Sequence, residues 1–258
     1  LNKAQLRTVK LLEMLRAEER LDIATVVAAL AISEATARRL FSLLEAEGKL
    51  IRVHGGIQIA PQLESDYSYR LSASRQQDEK NAIGIAAAAI VADGDRIFLD
   101  SGTTVLKMAE ALAGRIRLGE IQDITVVTNS MSYLHNLAET CKVLLIGGAI
   151  RPQRHDVCGP IAESNLIKFR FDKVFLGADA ISPSGDVMAT DEATCRMNEI
   201  AMEQSSKNYL LVTSDKFERS SFIAFGRLNS KTTIFTDSQL SAATIKSLQK
   251  TKAIIKTV

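Results

Sequence analysis

The chain has no tryptophan, only three cysteines and no apolar run long enough to cross a bilayer, and these shortages remove whole classes of protein. Cys141, Cys158 and Cys195 are odd in number, far apart and without a paired short spacing, so neither a disulfide framework nor a zinc site is indicated. The alanine-rich stretch from Ile83 to Val91 is interrupted by Gly84 and falls well short of the roughly 20 residues of a membrane span. No basic-then-apolar leader is read at the start of the chain. Net charge is scarce as well: 32 Lys and Arg against 30 Asp and Glu leave +2, too mild for the total alone to argue for a polyanionic partner. With 46% hydrophobic and 24% charged residues and no low-complexity tract, the expectation is an ordinary globular protein of the cytoplasm, with no metal, no cofactor and no membrane partner. Its 258 residues suffice for a small module plus one substantial core.

What is present is informative by position. Leu6, Val9, Leu12 and Leu15 predict a first amphipathic helix over 3–17. Asp22 is placed to cap a second helix carrying Val26, Val27 and Leu30. After the short turn Ala31-Ile32, Ser33 is placed to cap a third, carrying Ala37, Leu40, Leu43 and Leu44. Gly48 ends that helix, Leu50 to Val53 has strand composition, Gly55-Gly56 makes a tight turn, and Ile57 to Ala60 returns. This is the layout of a winged helix-turn-helix, a module that reads duplex DNA.

Strand alternation puts Arg52 and His54 on one face, opposite Ile51 and Val53, so that one face packs and the other meets phosphate. Glu34, Ala35, Thr36, Arg38 and Arg39 occupy the first two turns of the third helix, the part that enters a major groove. Thr36 suits a phosphate or a thymine methyl, and an arginine there suits guanine or the backbone. The residues expected to face DNA are therefore Ser33, Glu34, Thr36, Arg38, Arg39, Arg52, His54, Gly55 and Gly56. An Arg-Arg pair alone would more simply be solvated charge on a protein-binding module. Its joint occurrence with the short turn, the Ser33 cap and the basic wing argues for DNA.

From Pro61 to about Glu79 the composition turns to Gln, Glu, Ser, Asp and Arg, a connection expected to be partly helical around Tyr67, Tyr69 and Leu71. The expected division is 1–60, a linker over 61–79, and a larger domain over 80–258. In the larger domain, strand candidates at Arg96–Leu99, Ile124–Val127, Val143–Ile146, Lys173–Leu176, Tyr209–Val212, Thr233–Phe235 and finally Ala253–Ile255 alternate with helical stretches. That pattern implies a mostly parallel α/β sheet with crossover helices.

Ile97 to Thr104 runs from a strand through Asp100-Ser101-Gly102-Thr103-Thr104 into a helix. Such a turn offers hydroxyls and backbone N–H groups to an anion, or serves merely as a cap. Thr128-Asn129-Ser130 and Ile146-Gly147-Gly148 also place small or polar residues just past strands, where open parallel sheets form a ligand crevice.

These residues, in this order, resemble the DeoR family of bacterial transcriptional regulators. The family's Val-Ser-x-x-Thr-Ile-Arg-Arg-Asp-Leu stands here as Ile32 to Phe41, with Ala37 for the isoleucine and Leu40 for the aspartate. Its Gly-Leu-x-Arg-x-His-Gly-Gly wing is matched by Gly48 to Gly56. Its sensor motifs are matched at Asp100 to Thr104, Thr128 to Ser130, Gly147-Gly148 with Arg151, Gly159-Pro160, Phe171 to Gly177, and Asp215-Lys216-Phe217, so that the resemblance covers nearly the whole chain. Where most members have an aspartate before Ser-Ser-Lys, Thr213 precedes Ser214-Asp215-Lys216.

The resemblance implies a sensor domain similar in fold to ribose-5-phosphate isomerase and the coenzyme A transferases, and an effector that is a phosphorylated sugar or sugar alcohol. It implies that Ser101, Gly102, Thr103 and Thr104 cradle the phosphate, with Gly147 and Gly148 lining the site and Lys216 and Arg151 adding charge. Asp100, Asn129, Asp179 and Glu192 are then candidates for the sugar hydroxyls. Each has a plainer role open to it: Asp100 supporting its loop, Asn129 capping the helix from Ser130, Asp179 fixing a turn.

It also implies a non-enzymatic repressor that reads two half-sites of an operator as a homo-oligomer, a dimer or tetramer. The rival is a sugar-phosphate isomerase-like enzyme with Asp191 or Glu192 as general base. A third alternative keeps the head as a protein-interaction module.

Overall fold

The computed structural model describes residues 3–18, 20–53, 55–59 and 69–258. Its contacts divide into two units, Leu1–Leu71 and Ser72–Val258.

In the first unit, helix α1 (Lys3–Glu18) leads through strand β1 (Arg20–Asp22) into α2 (Ile23–Leu30) and α3 (Glu34–Ala46), followed by β2 (Leu50–Val53) and β3 (Gly56–Ile59). Both expected caps form. The Asp22 carboxylate accepts the Thr25 N–H at 2.7 Å, and Ser33 Oγ accepts that of Thr36 at 3.3 Å. The three strands pair antiparallel in the order β1-β3-β2. The Gly55-Gly56 turn has two separate causes. Gly55 sits at φ +82°, whereas a Cβ on Gly56 would lie 2.1 Å from the Leu21 carbonyl oxygen of the adjoining strand.

The core of this unit corrects three expectations. On α1, Leu6 and Val9 are exposed and Leu11 and Leu15 are fully buried. Steps of three residues drift by about 60° around a helix, so Leu6 and Leu15 lie on opposite sides. On α3, Ala37, Phe41 and Leu44 are buried and Leu43 is exposed. In the wing, Leu50 is buried while Ile51 is exposed, so the packed residue shares the Arg52 face rather than opposing it. The turn residue His54 lies outside the described residues.

The second unit is built on a seven-stranded, wholly parallel sheet, described by β4 (Arg96–Leu99), β5 (Thr125–Thr128), β6 (Lys142–Leu145), β9 (Lys173–Leu176), β12 (Asn208–Leu211), β14 (Thr232–Thr236) and β15 (Ile254–Thr257). The strand order is β15-β14-β12-β9-β4-β5-β6. Alternation sorts the side chains by face. Ile97, Leu99, Phe175, Leu211 and Phe235 pack with Ile83, Met108 and Leu112 of helices α5 (Gln77–Ala88) and α6 (Thr103–Arg117). Phe98, Val174, Leu210 and Ile234 pack on the other face with Ala162, Leu166, Met197 and Ile200 of α8 (Pro160–Leu166) and α9 (Glu192–Glu203).

Gly84 explains the interruption in the alanine-rich run. A Cβ there would stand 2.6 Å from the Lys107 carbonyl carbon and the Met108 nitrogen, so its absence lets α5 lie directly on α6.

Two small antiparallel additions flank the sheet: the hairpin β7 (Ala149–Arg151) with β8 (Asp156–Cys158), and the trio β10 (Ala180–Ile181), β11 (Asp186–Ala189) and β13 (Ile223–Arg227). Short helices α4 (Tyr69–Ser74), α7 (Leu134–Ala138) and α10 (Ala242–Leu248) complete the described elements.

Strand order positions the candidate site. From β4 the chain moves outward to β5 and β6, then returns to place β9 on the other side of β4. The sequence order therefore reverses between β4 and β9. In open parallel sheets, the carboxyl ends at such a reversal enclose a crevice that the crossovers leave uncovered.

Candidate functional site

In the first unit, Ser33, Glu34, Thr36, Arg38 and Arg39 are all exposed on the first turns of α3, while Ala37 between them is buried. Ser33 Oγ also lies 2.9 Å from Thr36 Oγ1, which fixes the start of the helix. Arg38 is engaged: its Nη2 and Nε donate to Glu34 Oε1 at 2.6 and 3.0 Å. Such an exposed pair contributes little to stability and is readily exchanged for a phosphate. Among the described residues, no carboxylate pairs with Arg39. The Arg52 guanidinium reaches back to Ser42 Oγ at 3.4 Å, and its main-chain N–H donates to Glu45, so the wing is tied to the distal half of α3.

In the second unit, β4 and β9 end side by side at the reversal point. Asp100, which follows β4, is buried. Its Oδ1 accepts the Ser101 N–H at 2.6 Å and its Oδ2 accepts the Gly177 N–H beyond β9 at 3.0 Å. Burial raises the Asp100 carboxyl to about 6, against the pull of those two N–H groups toward lower values. Helix α6 then begins at Thr103 behind Gly102, which supplies no side-chain cap. A helix start without a side-chain cap keeps its first-turn N–H groups for another acceptor, and the helix dipole favours an anion there.

Ser101, Thr103 and Thr104 are buried around that start. Ser101 Oγ donates to Asp156 Oδ2 at 2.9 Å, and Thr103 Oγ1 lies 3.2 Å from Ser72 Oγ.

The remaining expected residues separate into two groups. Asn129, beyond β5, is buried. Its Nδ2 donates to the Val157 carbonyl at 3.2 Å, while its Oδ1 has no partner. That leaves a buried acceptor at a strand end without a donor, an arrangement costly unless something supplies one. Lys216 is half-buried in the short turn Ser214–Lys216 after β12, with Asp215 at 3.8 Å.

Other candidates have structural employment. Arg151 makes a two-pronged pair with Asp156 at 2.8 and 2.6 Å and reaches Asp191 at 2.7 Å and Thr194 at 3.0 Å, so its charge is already balanced. Asp179 accepts the N–H and hydroxyl of Thr190. Gly148 clears the Cys158 carbonyl, where a Cβ would come within 2.6 Å, while Gly147 faces open space. Glu192 is exposed at the start of α9.

Asp191 caps α9. Although burial would raise its carboxyl, the Thr194 N–H and the Arg154 and Arg151 charges hold it below the ordinary value. A carboxylate held ionised by two arginines is a weak proton acceptor, so it is poorly suited to general-base work.

Sequence reasoning missed Asp156, Tyr133 and Lys80. Tyr133 Oη donates to the carbonyl of Asp100 at 2.7 Å and stands 2.9 Å from Thr128 Oγ1, joining the ends of β4 and β5. Lys80, on α5, is buried, and its ammonium donates to the carbonyls of Ser72 and Arg75. Burial, with the neighbouring Lys216 ammonium, pushes Lys80 down to about 8. Its only sequence signal was a lone lysine in an otherwise alanine-rich helix.

No helix among the described residues is long and apolar enough to cross a membrane.

Comparison with known proteins agrees with this division of labour. Residues 7–62 match the model of the DeoR-like helix-turn-helix domain, and residues 75–238 that of the DeoR C-terminal sensor domain. A lactose phosphotransferase system repressor of Lactococcus lactis subsp. lactis is 33% identical over 255 residues, covering 97% of both chains. The transcriptional repressor AccR of Agrobacterium fabrum is 31% identical over 240 residues, 92% of this chain and 91% of its own. Among solved structures, a ribose 5-phosphate isomerase from Methanocaldococcus jannaschii aligns with 18% identity and a TM-score of 0.42 over 55% of this chain and 54% of that one. With both of its units matched in order, the chain belongs to the DeoR family of DNA-binding transcriptional repressors.

Proposed function

We propose that this protein represses a sugar or sugar-alcohol catabolic operon, and that a phosphorylated sugar held at the carboxyl ends of β4 and β9 controls its grip on the operator. In this reading residues 1–60 bind DNA, 61–79 connect, and 80–258 sense the effector. The observation that carries it is the start of α6 at the strand-order reversal: a fifteen-residue helix without a side-chain cap, ringed by Ser101, Thr103 and Thr104. Lys216 supplies positive charge for the phosphate, and Asp100 and the unpartnered Asn129 Oδ1 are placed for ligand hydroxyls. Relatives named as lactose phosphotransferase system repressors favour a sugar-derived effector.

On the DNA side, α3 presents Ser33, Glu34, Thr36, Arg38 and Arg39 to a major groove, while Arg52, His54, Gly55 and Gly56 of the wing approach the backbone. A homo-oligomer, dimer or tetramer, reads paired half-sites. The effector works only through unequal affinity for the DNA-competent and DNA-incompetent arrangements. Thermal-shift screening of the full chain against phosphorylated sugars and sugar alcohols tests the effector class, since preferential binding raises apparent stability by mass action. Equal stabilisation by every phosphate ester and by inorganic phosphate would defeat the sugar-phosphate assignment.

A further inference from the structure

Lys80 is 5% exposed, yet among the described residues no carboxylate lies within ion-pairing distance of its ammonium. Its flanking acid, Glu79, is taken up by Gln239 Nε2 at 3.0 Å. Asp215 accepts from Thr213 Oγ1 at 2.6 Å and shares its remaining charge with Lys216 and Arg219, each at 3.8 Å. A buried cation held only by neutral carbonyls is expensive, and a second ammonium nearby makes it more so. What would relieve the cost is an anion.

The carbonyls that hold Lys80 belong to Ser72 and Arg75, and Ser72 Oγ is 3.2 Å from Thr103 Oγ1, on the first residue of α6. Lys80, the 72–75 segment and the start of α6 thus form one connected polar group. An ammonium has three donors, and two are spent on these carbonyls.

We infer that Lys80 completes the anion site at the start of α6 and couples its occupancy to residues 72–75: a bound anion neutralises Lys80 and Lys216 and thereby fastens Ser72 and Arg75 in place. The inference rests on the 101–104 turn being the anion seat. Neutralising the ammonium removes the penalty for keeping it buried, so its bonds to the two carbonyls strengthen, and the anion also orients Thr103 and, through it, Ser72. The segment so fastened lies at the beginning of the second unit, directly after the residues that join it to the DNA-binding unit. That is where a change in order would have to appear for ligand occupancy to be felt upstream.

The test uses the full chain with inorganic phosphate as probe and chloride at matched ionic strength as control. It reads thermal stabilisation and amide hydrogen exchange of a peptide spanning 72–76. In the wild type, phosphate is expected to raise Tm and to slow exchange in that peptide. Lys80→Met, which keeps the buried chain and removes the charge, is expected to weaken phosphate on the order of tenfold and to abolish the change in exchange. Ser72→Ala is expected to keep most of the thermal shift while reducing the change in exchange. Equal responses of wild type and Lys80→Met, or faster exchange on adding phosphate, would overturn the inference and leave the anion seat standing. If the wild type itself showed no phosphate-specific shift, the seat and the inference would fail together.

Discussion

Asp100 and Gly177 are joined across the centre of the parallel sheet: the carboxylate after β4 accepts the main-chain N–H after β9 at 3.0 Å. These two strands are neighbours in space but are separated in sequence by five strands and three helices, β5 to β8 and α6 to α8 included. The bond therefore closes the crevice floor where the strand order reverses, and it does so with a carboxyl whose burial disfavours its charge.

That conflict gives a pH dependence. Asp100 is raised from 3.8 to about 6 in the folded protein, so its protonated form is the stabilising one. The associated stability is fully present below about pH 4 and is lost as pH rises through about 6, amounting to at most roughly 3 kcal/mol. Urea unfolding of wild type and Asp100→Asn between pH 4 and 7.5 measures it. The stability advantage of wild type over the variant is expected to shrink across this range and then level off, and a constant difference would contradict the assignment.

Close helix packing at Gly84 makes a second expectation. Alanine there drives a Cβ to 2.6 Å from main-chain atoms of Lys107 and Met108, which cannot rotate away. Gly84→Ala is expected to cost about 1–3 kcal/mol, read as a lowered midpoint for the second unit's unfolding. Gly114→Ala, whose Cβ meets nothing within 4 Å, is the matched control and should be close to neutral or mildly stabilising.

On α3 the two arginines should behave differently. Arg39 has no carboxylate partner among the described residues, whereas Arg38 must give up Glu34 to meet DNA. Arg39→Ala and Arg38→Ala are each expected to weaken operator binding without lowering Tm, and a phosphate-contacting arginine lowers the salt slope by about 1. Glu34→Gln frees Arg38 and is expected to strengthen non-specific DNA binding. Fluorescence anisotropy against duplex DNA at several salt concentrations separates these outcomes.

At the other end, Thr103→Val and Lys216→Ala are expected to retain DNA binding but lose the response to effector. Unchanged effector affinity in Lys216→Ala would remove that lysine from the phosphate site.

The parallel sheet was legible because its strands are fully buried apolar runs between turn residues. Arg96–Leu99 and Lys173–Leu176 match the expected bounds, and the other five candidates fall on strands displaced by a residue or more. The trio β10, β11 and β13 and the hairpin of β7 with β8 were not legible. They are two to five residues long and mix charged, small and apolar side chains, so they carry no period of their own. Caps at Asp22 and Ser33 were readable because the donor and acceptor lie three residues apart. Arg151 was not readable in the same way. Its expected role was charge for a ligand, and only the folded chain brings Asp156 and Asp191 to it. Lys80 was passed over for a related reason: whether a lysine is buried without a counter-ion depends on what surrounds it, not on its neighbours in sequence.

The most direct measurement is operator binding by the wild-type chain, on duplexes it selects from random sequence, with and without a panel of phosphorylated sugars and sugar alcohols. One phosphorylated compound is expected to shift operator affinity by tenfold or more, its unphosphorylated parent to do nothing, and Thr103→Val to bind DNA but ignore both. Operator affinity indifferent to every phosphorylated sugar, or a Thr103→Val protein that responds as the wild type does, would contradict control from the start of α6.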